Sequence, residues 1–359
     1  MRRLASSVIL CTLSWLCACG PVAEDYETAV EETPPLVSLD VSVALSDVSD
    51  VLTRAAGYAD AANDNEKMHT LRIIIVRPDW TVEANRLIDL RAASALKHQV
   101  AEPFEVFGNE WKRIYLFVNE GTEAEATDGT GIPRSLVDYR LDQIKVGSNF
   151  PVREINELKI RLEDNTEQIE GPLPMSEMHE CFVNKESDQS CNLFVTRAAV
   201  KFTFHLINHS SRDITLDGLT IDKMAHEEWY LPRASYGEPN TDGVREITEY
   251  EVPAGVGYYV YRWNASLTNG VTVKGSGEEV LPPIYLLEGK YTDDADPRNY
   301  SMEISVNNIK RKHYFPELGT LPRNTHVVVH ITCDADTKVS CQVDVIPYSQ
   351  VILEPDFGL

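Results

Sequence analysis

Bases are scarce in this sequence. Its 33 lysines and arginines stand against 56 aspartates and glutamates, a formal net charge of −23. A phosphate backbone is held by cations that displace its counterions, so nucleic acid is excluded as a partner. Catalytic motifs are missing too: there is no G-x-S-x-G, no H-E-x-x-H, no phosphate loop and no dinucleotide fingerprint. GVG at 255–257 and GSG at 275–277 are too short to mean more than turns. No set of converging polar groups can be assembled from the sequence, so neither an enzyme nor a cofactor is expected.

Metal-ligating sets are also wanting. His326 and His330 lie in THVVVH, whose valines form strand. At ~3.3 Å per residue the two imidazoles stand about 13 Å apart, too far to share a metal. His226-Glu227-Glu228 lacks a second histidine, and a disulfide uses Cys181 and Cys191 better than a site with His179 does. Asp293, Asp294 and Asp296 in TDDADPRN read as a solvated turn before a weak calcium site. No metal is expected.

The one apolar run free of charge over many residues, Leu4 to Cys19, follows Arg2 and Arg3. It is too short and too weakly flanked to span a bilayer as a stable helix, and reads as an export signal. Its end, Leu16-Cys17-Ala18-Cys19-Gly20, resembles a bacterial lipobox with Cys19 as the lipidated residue. Residues 1–19 are therefore read as a lipoprotein signal peptide, which anchors the precursor to the outer membrane at the cell surface. Residues 20–36 follow as an acidic tether, since GPVAEDYETAVEETPP carries no base and buries little.

Seven cysteines divide into three in the signal and two local pairs, Cys181 with Cys191 and Cys333 with Cys341. Proximity favours two short disulfides, each contributing ~2–3 kcal/mol in an oxidising compartment that agrees with export.

What remains is dominated by strand patterns. TLRIIIV (70–76), WKRIYLFVNEG (111–121), NLFVTRAAVKFTFHLIN (192–208), THVVVHITC (325–333) and CQVDVIPYSQVILEP (341–355) are apolar runs cut by turn residues. One helix is expected in 82–100, because Ala84, Ile88, Ala92, Ala95 and Leu96 share a helical face, although its first part competes with a strand. Strands in two batches predict an all-β chain of two tandem β-sandwiches with few short helices, 37–190 and 191–359. Tryptophans at 80, 111, 229 and 263 offer glycan-stacking platforms or core packing, the commoner fate.

The two ends share a pattern. In VSLDVSVALS, Val37, Leu39, Val41, Val43 and Leu45 alternate with polar residues, giving a first strand, 37–45, with one apolar face. The loop 46–69 after it holds a single arginine, Arg54. At the C-terminus Val351, Leu353, Phe357 and Leu359 again occupy odd positions. An alternating strand at each end is what strand exchange between subunits requires.

Several segments, in order, resemble the fimbrillin family, the shaft, tip and anchor pilins of Bacteroidales. They are the lipobox at Cys19, Arg54-Ala55 after the first strand, TLRIIIV, RIYLFVNEG (113–121), LPMSE (173–177) and TRAAVKF (196–202). YLLEGKY (285–291), LPRNTHVVVHI (321–331) and the ending VIPYSQVILEPDFGL complete the set. The resemblance implies two transthyretin-like β-sandwiches, export as a lipoprotein, and cleavage between Arg54 and Ala55 by an Arg-specific protease. The vacated groove of one subunit is then filled by a donor strand of another, here within 343–359, to build a fimbrium. It equally admits an uncleaved anchor or accessory subunit. The rival is a non-polymerising surface lipoprotein that binds a ligand.

Overall fold

A run of apolar residues on alternate positions pairs best as a strand with one face against a core. The computed structural model describes residues 35–46, 63–93, 97–122, 125–127, 133–134, 136–162, 164–185, 188–251, 258–263, 270–288, 300–315, 321–334 and 339–346. Cys19, Arg54, Ala55, Val351, Leu353, Phe357 and Leu359 lie outside them.

The opening strand is β1 (Leu36–Leu45), followed by β2 (Thr70–Val76), β3 (Val82–Asp89), β4 (Lys97–Gln99), β5 (Phe104–Phe107) and β6 (Glu110–Val118). Three short strands, β7 (Glu125–Thr127), β8 (Pro133–Arg134) and β9 (Lys159–Arg161), flank helices α1 (Leu136–Tyr139) and α2 (Val152–Asn156). Then come β10 (Met175–Val183) and β11 (Gln189–Arg197). Eight of these strands form one sheet in the order β3-β2-β6-β10-β11-β1-β4, with β5 also pairing with β1. TLRIIIV, apolar without alternation, becomes β2, an inner strand buried on both faces. Its one charge, Arg72, is satisfied by Glu120 at 2.7 and 2.8 Å and by Asn85 at 2.8 Å.

The helix expected in 82–100 does not form over its first half. Residues 82–89 are β3, paired with β2 from Thr70 opposite Asp89 to Val76 opposite Val82. The turn at Pro78-Asp79-Trp80 folds the chain back on β2, and the ladder gained there outweighs a helical spacing made mostly of small residues. Residues 91–93 make only one 3-10 turn, and β4 follows.

Beyond β11 the strands are β12 (Val200–Asn208), β13 (Ile214–Ala225), β14 (Glu227–Trp229), β15 (Ala234–Pro239), β16 (Arg245–Tyr250), β17 (Tyr258–Arg262) and β18 (Val271–Val273). The series ends with β19 (Glu278–Val280), β20 (Ile284–Leu286), β21 (Ser301–Val306), β22 (Ile309–Tyr314), β23 (His326–Cys333) and β24 (Val339–Ile346). Ten of them build two five-stranded sheets, β19-β12-β23-β24 with β20 on β12, and β17-β13-β21-β22 with β18 on β13, while β15 and β16 pair with each other and β14 joins β9. Phe202 and Phe204 of β12 and Phe315 after β22 are buried in their core, and the Phe202 and Phe315 rings lie 6.2 Å apart.

The fold is all-β. The expected boundary at 190/191 falls inside β11, which belongs wholly to the first sheet, so the change of sheet comes at Ala198-Ala199. Nor do the halves separate: β14 pairs with β9, Tyr230 N donates to the Leu158 carbonyl at 2.8 Å, and the described residues form one compact unit.

Neither expected disulfide is closed, and Cys181, Cys191 and Cys333 are free, buried thiols. The Cys181 and Cys191 sulfurs stand 2.6 Å apart, and contact with Cys181, with burial, pushes the Cys191 thiol up. The pairing of Cys333 with Cys341 is corrected by register. Cys333 lies opposite Val339 and Cys341 opposite Ile331, so the two are diagonal neighbours, farther apart than a disulfide accommodates.

Candidate functional site: the seat of the first strand

Alternation in VSLDVSVALS sets which side chains β1 buries, and its neighbours set how firmly it is held. Leu39, Val41 and Val43 are 0% exposed and Leu45 is 2% exposed, while Val37 is half-buried against the same core. The polar Ser38, Asp40 and Ser42 are only partly buried on the opposite face. Burying four to five aliphatic side chains at ~1.5–3 kcal/mol each gives on the order of 10 kcal/mol of gross stabilisation.

Both edges of β1 are paired. On one side it runs parallel to β11, from Leu39 beside Gln189 to Leu45 beside Val195. On the other it is antiparallel to β5, from Leu36 opposite Phe107 to Leu39 opposite Phe104, and then to β4, from Ser42 opposite Gln99 to Ala44 opposite Lys97. Val100 N donates to the Val41 carbonyl at 3.0 Å, and Gly108 N to the Pro35 carbonyl at 2.8 Å. Gly108 is needed there, because a Cβ would come within 2.8 Å of the Asn184 carbonyl oxygen and 2.9 Å of Lys185 Cα.

The wall formed by β5 is fastened independently of β1. Glu83 of β3, at the far end of the sheet order, accepts from Phe107 N at 2.8 Å and pairs with the fully buried Lys112. Lys112 also donates to Glu110 at 2.6 Å, and Arg86 of β3 reaches the Glu102 carbonyl at 2.7 Å with its guanidinium 4.1 Å over the Phe104 ring. These bridges curl the two ends of the eight-stranded sheet toward one another.

The end of β1 is held by the distant segment 321–325. Ser46 N donates to the Val195 carbonyl at 2.8 Å, and the Asn324 side-chain amide donates to the Ser46 carbonyl at 3.2 Å. Arg197 donates to Asn324 Oδ1 at 3.2 Å. Arg323 anchors this segment by donating to the Trp229 carbonyl at 2.6 Å and by pairing with Glu228. Where the described chain resumes, Glu66 accepts from Tyr285 at 2.6 Å and pairs with Lys201 at 2.7 Å. Burial opposes its charge, but Lys201 and the Tyr285 hydroxyl prevail, and its carboxyl titrates below the ordinary range. Arg197 also donates to the Glu66 carbonyl at 3.2 and 3.3 Å. One polar network thus receives both described ends of the chain around residues 47–62.

The expected donor segment, 343–359, is partly committed. Residues 343–346 belong to β24, with Val343 opposite Val329 and Ile346 opposite His326. β24 is the last strand of its sheet order. A donor that keeps this ladder intact begins at residue 347, which corrects the earlier start.

Among the other sequence candidates, Asp293, Asp294 and Asp296 lie outside the described residues, and His326, His330 and three of the tryptophans find structural partners. His326 bonds Thr203 at 2.9 Å, and His330 stacks on His205 with ring centroids 4.8 Å apart. Arg113, Arg245 and Arg233 lie 4.1, 4.5 and 3.7 Å from the ring centroids of Trp80, Trp111 and Trp229, so a guanidinium covers a face of three of the four proposed platforms, and the fourth, Trp263, packs against the core. Asn324, Glu66 and Lys201 were invisible as site residues in the sequence. For Lys201 and Asn324 the signal was only that TRAAVKF and LPRNTHVVVHI belong to the family-like set, and Glu66, in the loop 46–69, had none.

No family model matches the chain, and no curated protein matches it. Among solved structures it is similar to the tip fimbrial protein Mfa3 from Porphyromonas gingivalis with a C-terminal truncation. The TM-score is 0.53 at 11% identity, covering 87% of this chain and 99% of that one. It is also similar to a candidate cell adhesion protein from Parabacteroides distasonis, with a TM-score of 0.50 at 15% identity over 86% of this chain and 96% of that one. The likeness is one of fold, and it agrees with the fimbrillin resemblance of the sequence.

Proposed function

We propose that this chain is a structural subunit of a cell-surface fimbrium that assembles by protease-triggered donor-strand exchange. The observation that carries this reading is the placement of β1. It is an inner strand with both edges hydrogen-bonded and its apolar side chains sealed, yet it is the first strand of the sheet and continues into a segment with one arginine. A strand so placed leaves without unthreading the rest of the fold, and the β5 wall keeps its contacts to Glu83 and Arg86 when it goes.

In this mechanism Cys19 carries the lipid that holds the precursor at the outer membrane, and an Arg-specific protease cuts between Arg54 and Ala55. Departure of β1 exposes the edges of β11 and of β4 and β5 above an apolar groove. A C-terminal strand of another subunit, carrying Val351, Leu353, Phe357 and Leu359, enters it. Main-chain bonds supply affinity and the alternate side chains refill the pockets. Asn324 and the Glu66 network keep the groove closed before the cut.

The test compares intact protein with protein treated with an Arg-specific protease. Ladders resistant to mild SDS are expected only after cleavage, and Arg54→Ala abolishes them. N-terminal sequencing of protein from cells separates the roles: Ala55 marks a polymer subunit, and acylated Cys19 an uncleaved anchor. Cleaved, tail-bearing protein that stays monomeric overturns the mechanism.

A further inference from the structure

The hairpin of β21 and β22 gathers cations at a sheet edge in a strongly acidic chain. β22 reads Ile309-Lys310-Arg311-Lys312-His313-Tyr314 and pairs only with β21 among the described residues. Residues 309–312 and Tyr314 are exposed. Arg311 lies opposite Ile304 and His313 opposite Met302, whereas Lys310 lies opposite Ser305 and Lys312 opposite Glu303. Directly opposite residues share a face, so Arg311 and His313 sit on the side of the buried Ile304 and Met302, and the two lysines on the other side.

These cations are poorly compensated. Among the described residues only Lys310 has a carboxylate partner, Glu303 at 2.9 Å, and that pair is well exposed. Arg311 donates to the Lys310 carbonyl at 3.2 Å, and the Lys312 ammonium stands 5.2 Å over the Tyr314 ring. Adjacent like charges at an open edge are an unfavourable arrangement that a complementary partner relieves.

We propose that β22 is a docking edge for an acidic, extended peptide segment of a partner protein, which adds to the sheet as a further strand. The outer main-chain groups of residues 309–313, which have no second strand partner among the described residues, supply the ladder. A chain laid along this edge turns successive side chains to opposite faces. One acid then meets Lys310 and Lys312, and the acid next to it meets Arg311 on the other face. A sulfated polysaccharide lying on one face reaches either the two lysines or Arg311 but not all three, so the alternation favours a peptide. The same cations repel basic strands and leave neutral ones without compensation, which makes the guarded edge selective. This docking does not depend on strand exchange at β1.

The test uses the uncleaved protein and a fluorescent peptide of about twelve residues repeating Thr-Glu-Asp-Val, followed by anisotropy. Saturable binding is expected, weakening about tenfold between roughly 50 and 300 mM salt. The triple variant Lys310→Glu, Arg311→Glu, Lys312→Glu, with its fold checked by circular dichroism, is expected to bind about tenfold or more weakly. A peptide of the same charge, N-methylated at alternate amides, loses binding because it cannot complete the ladder. Equal binding by the methylated peptide or by a Thr-Lys-Lys-Val repeat overturns the proposal. So does saturable binding of a heparin oligosaccharide where the acidic peptide gives none.

Discussion

The side-chain amide of Asn324 donates to the main-chain carbonyl of Ser46 at 3.2 Å, across 278 residues of sequence. This bond fastens the end of β1 to a segment that no short-range pattern connects with it. Asn324 itself has φ 60°, a left-handed conformation that glycine adopts without strain. Asn324→Gly therefore removes the side chain while sparing the backbone. It is expected to cost about 1–3 kcal/mol in urea unfolding and to speed amide exchange at Ser46 and Leu45. Unchanged exchange at those amides counts against a latch.

Side chains along β1 should matter in proportion to their burial. Leu39→Ala, at a position with 0% exposure, is expected to cost about 2–5 kcal/mol, and Val37→Ala, half-buried, clearly less. Substituting the outward Ser42 should change stability by under about 0.5 kcal/mol. Urea midpoints of the three variants check this ordering.

Two buried groups on β10 give opposite pH dependences. Burial pushes the Glu177 carboxyl up from 4.5 to about 7, against the Tyr250 hydroxyl that donates to it at 2.7 Å. The folded state then holds a proton that the unfolded state releases, so stability falls as pH rises from about 4.5 to 7, by on the order of 3 kcal/mol. Burial pushes the His179 imidazole down from 6.5 to about 4, so its contribution is lost as pH falls from 6.5 toward 4. The two slopes offset one another between about 4.5 and 6.5. Glu177→Gln should unmask the histidine, giving stability that rises with pH across that window. A variant as flat as the parent would refute the assignment.

Cys181 and Cys191, with sulfurs 2.6 Å apart, are expected to oxidise to a disulfide in an oxidising compartment. Thiol titration of unfolded protein should then find both blocked, with Cys333 still titrating as a thiol. Reduction should lower stability by ~2–3 kcal/mol. Two free thiols at these positions in protein recovered from the cell surface would count against the bridge.

Much of the fold was legible from the sequence because alternation and turn residues are local signals. TLRIIIV read as a strand and is β2, and the inward set Leu39, Val41, Val43 and Leu45 is buried as the pattern required. Residues 82–89 were not legible in the same way, since their spacing fitted a helical face and only pairing with β2 made them a strand. The acidic balance and the absence of catalytic motifs came from composition alone.

Tertiary structure alone decided what holds β1. A sequence gives one strand's pattern, whereas a seat is made by others, here β11 in parallel on one edge and β4 and β5 on the other. It likewise decided that Asn324 touches Ser46, and that residues 343–346 are already paired in β24. Hydrogen-bond partners and register are relations between distant segments, and no periodicity within a segment encodes them.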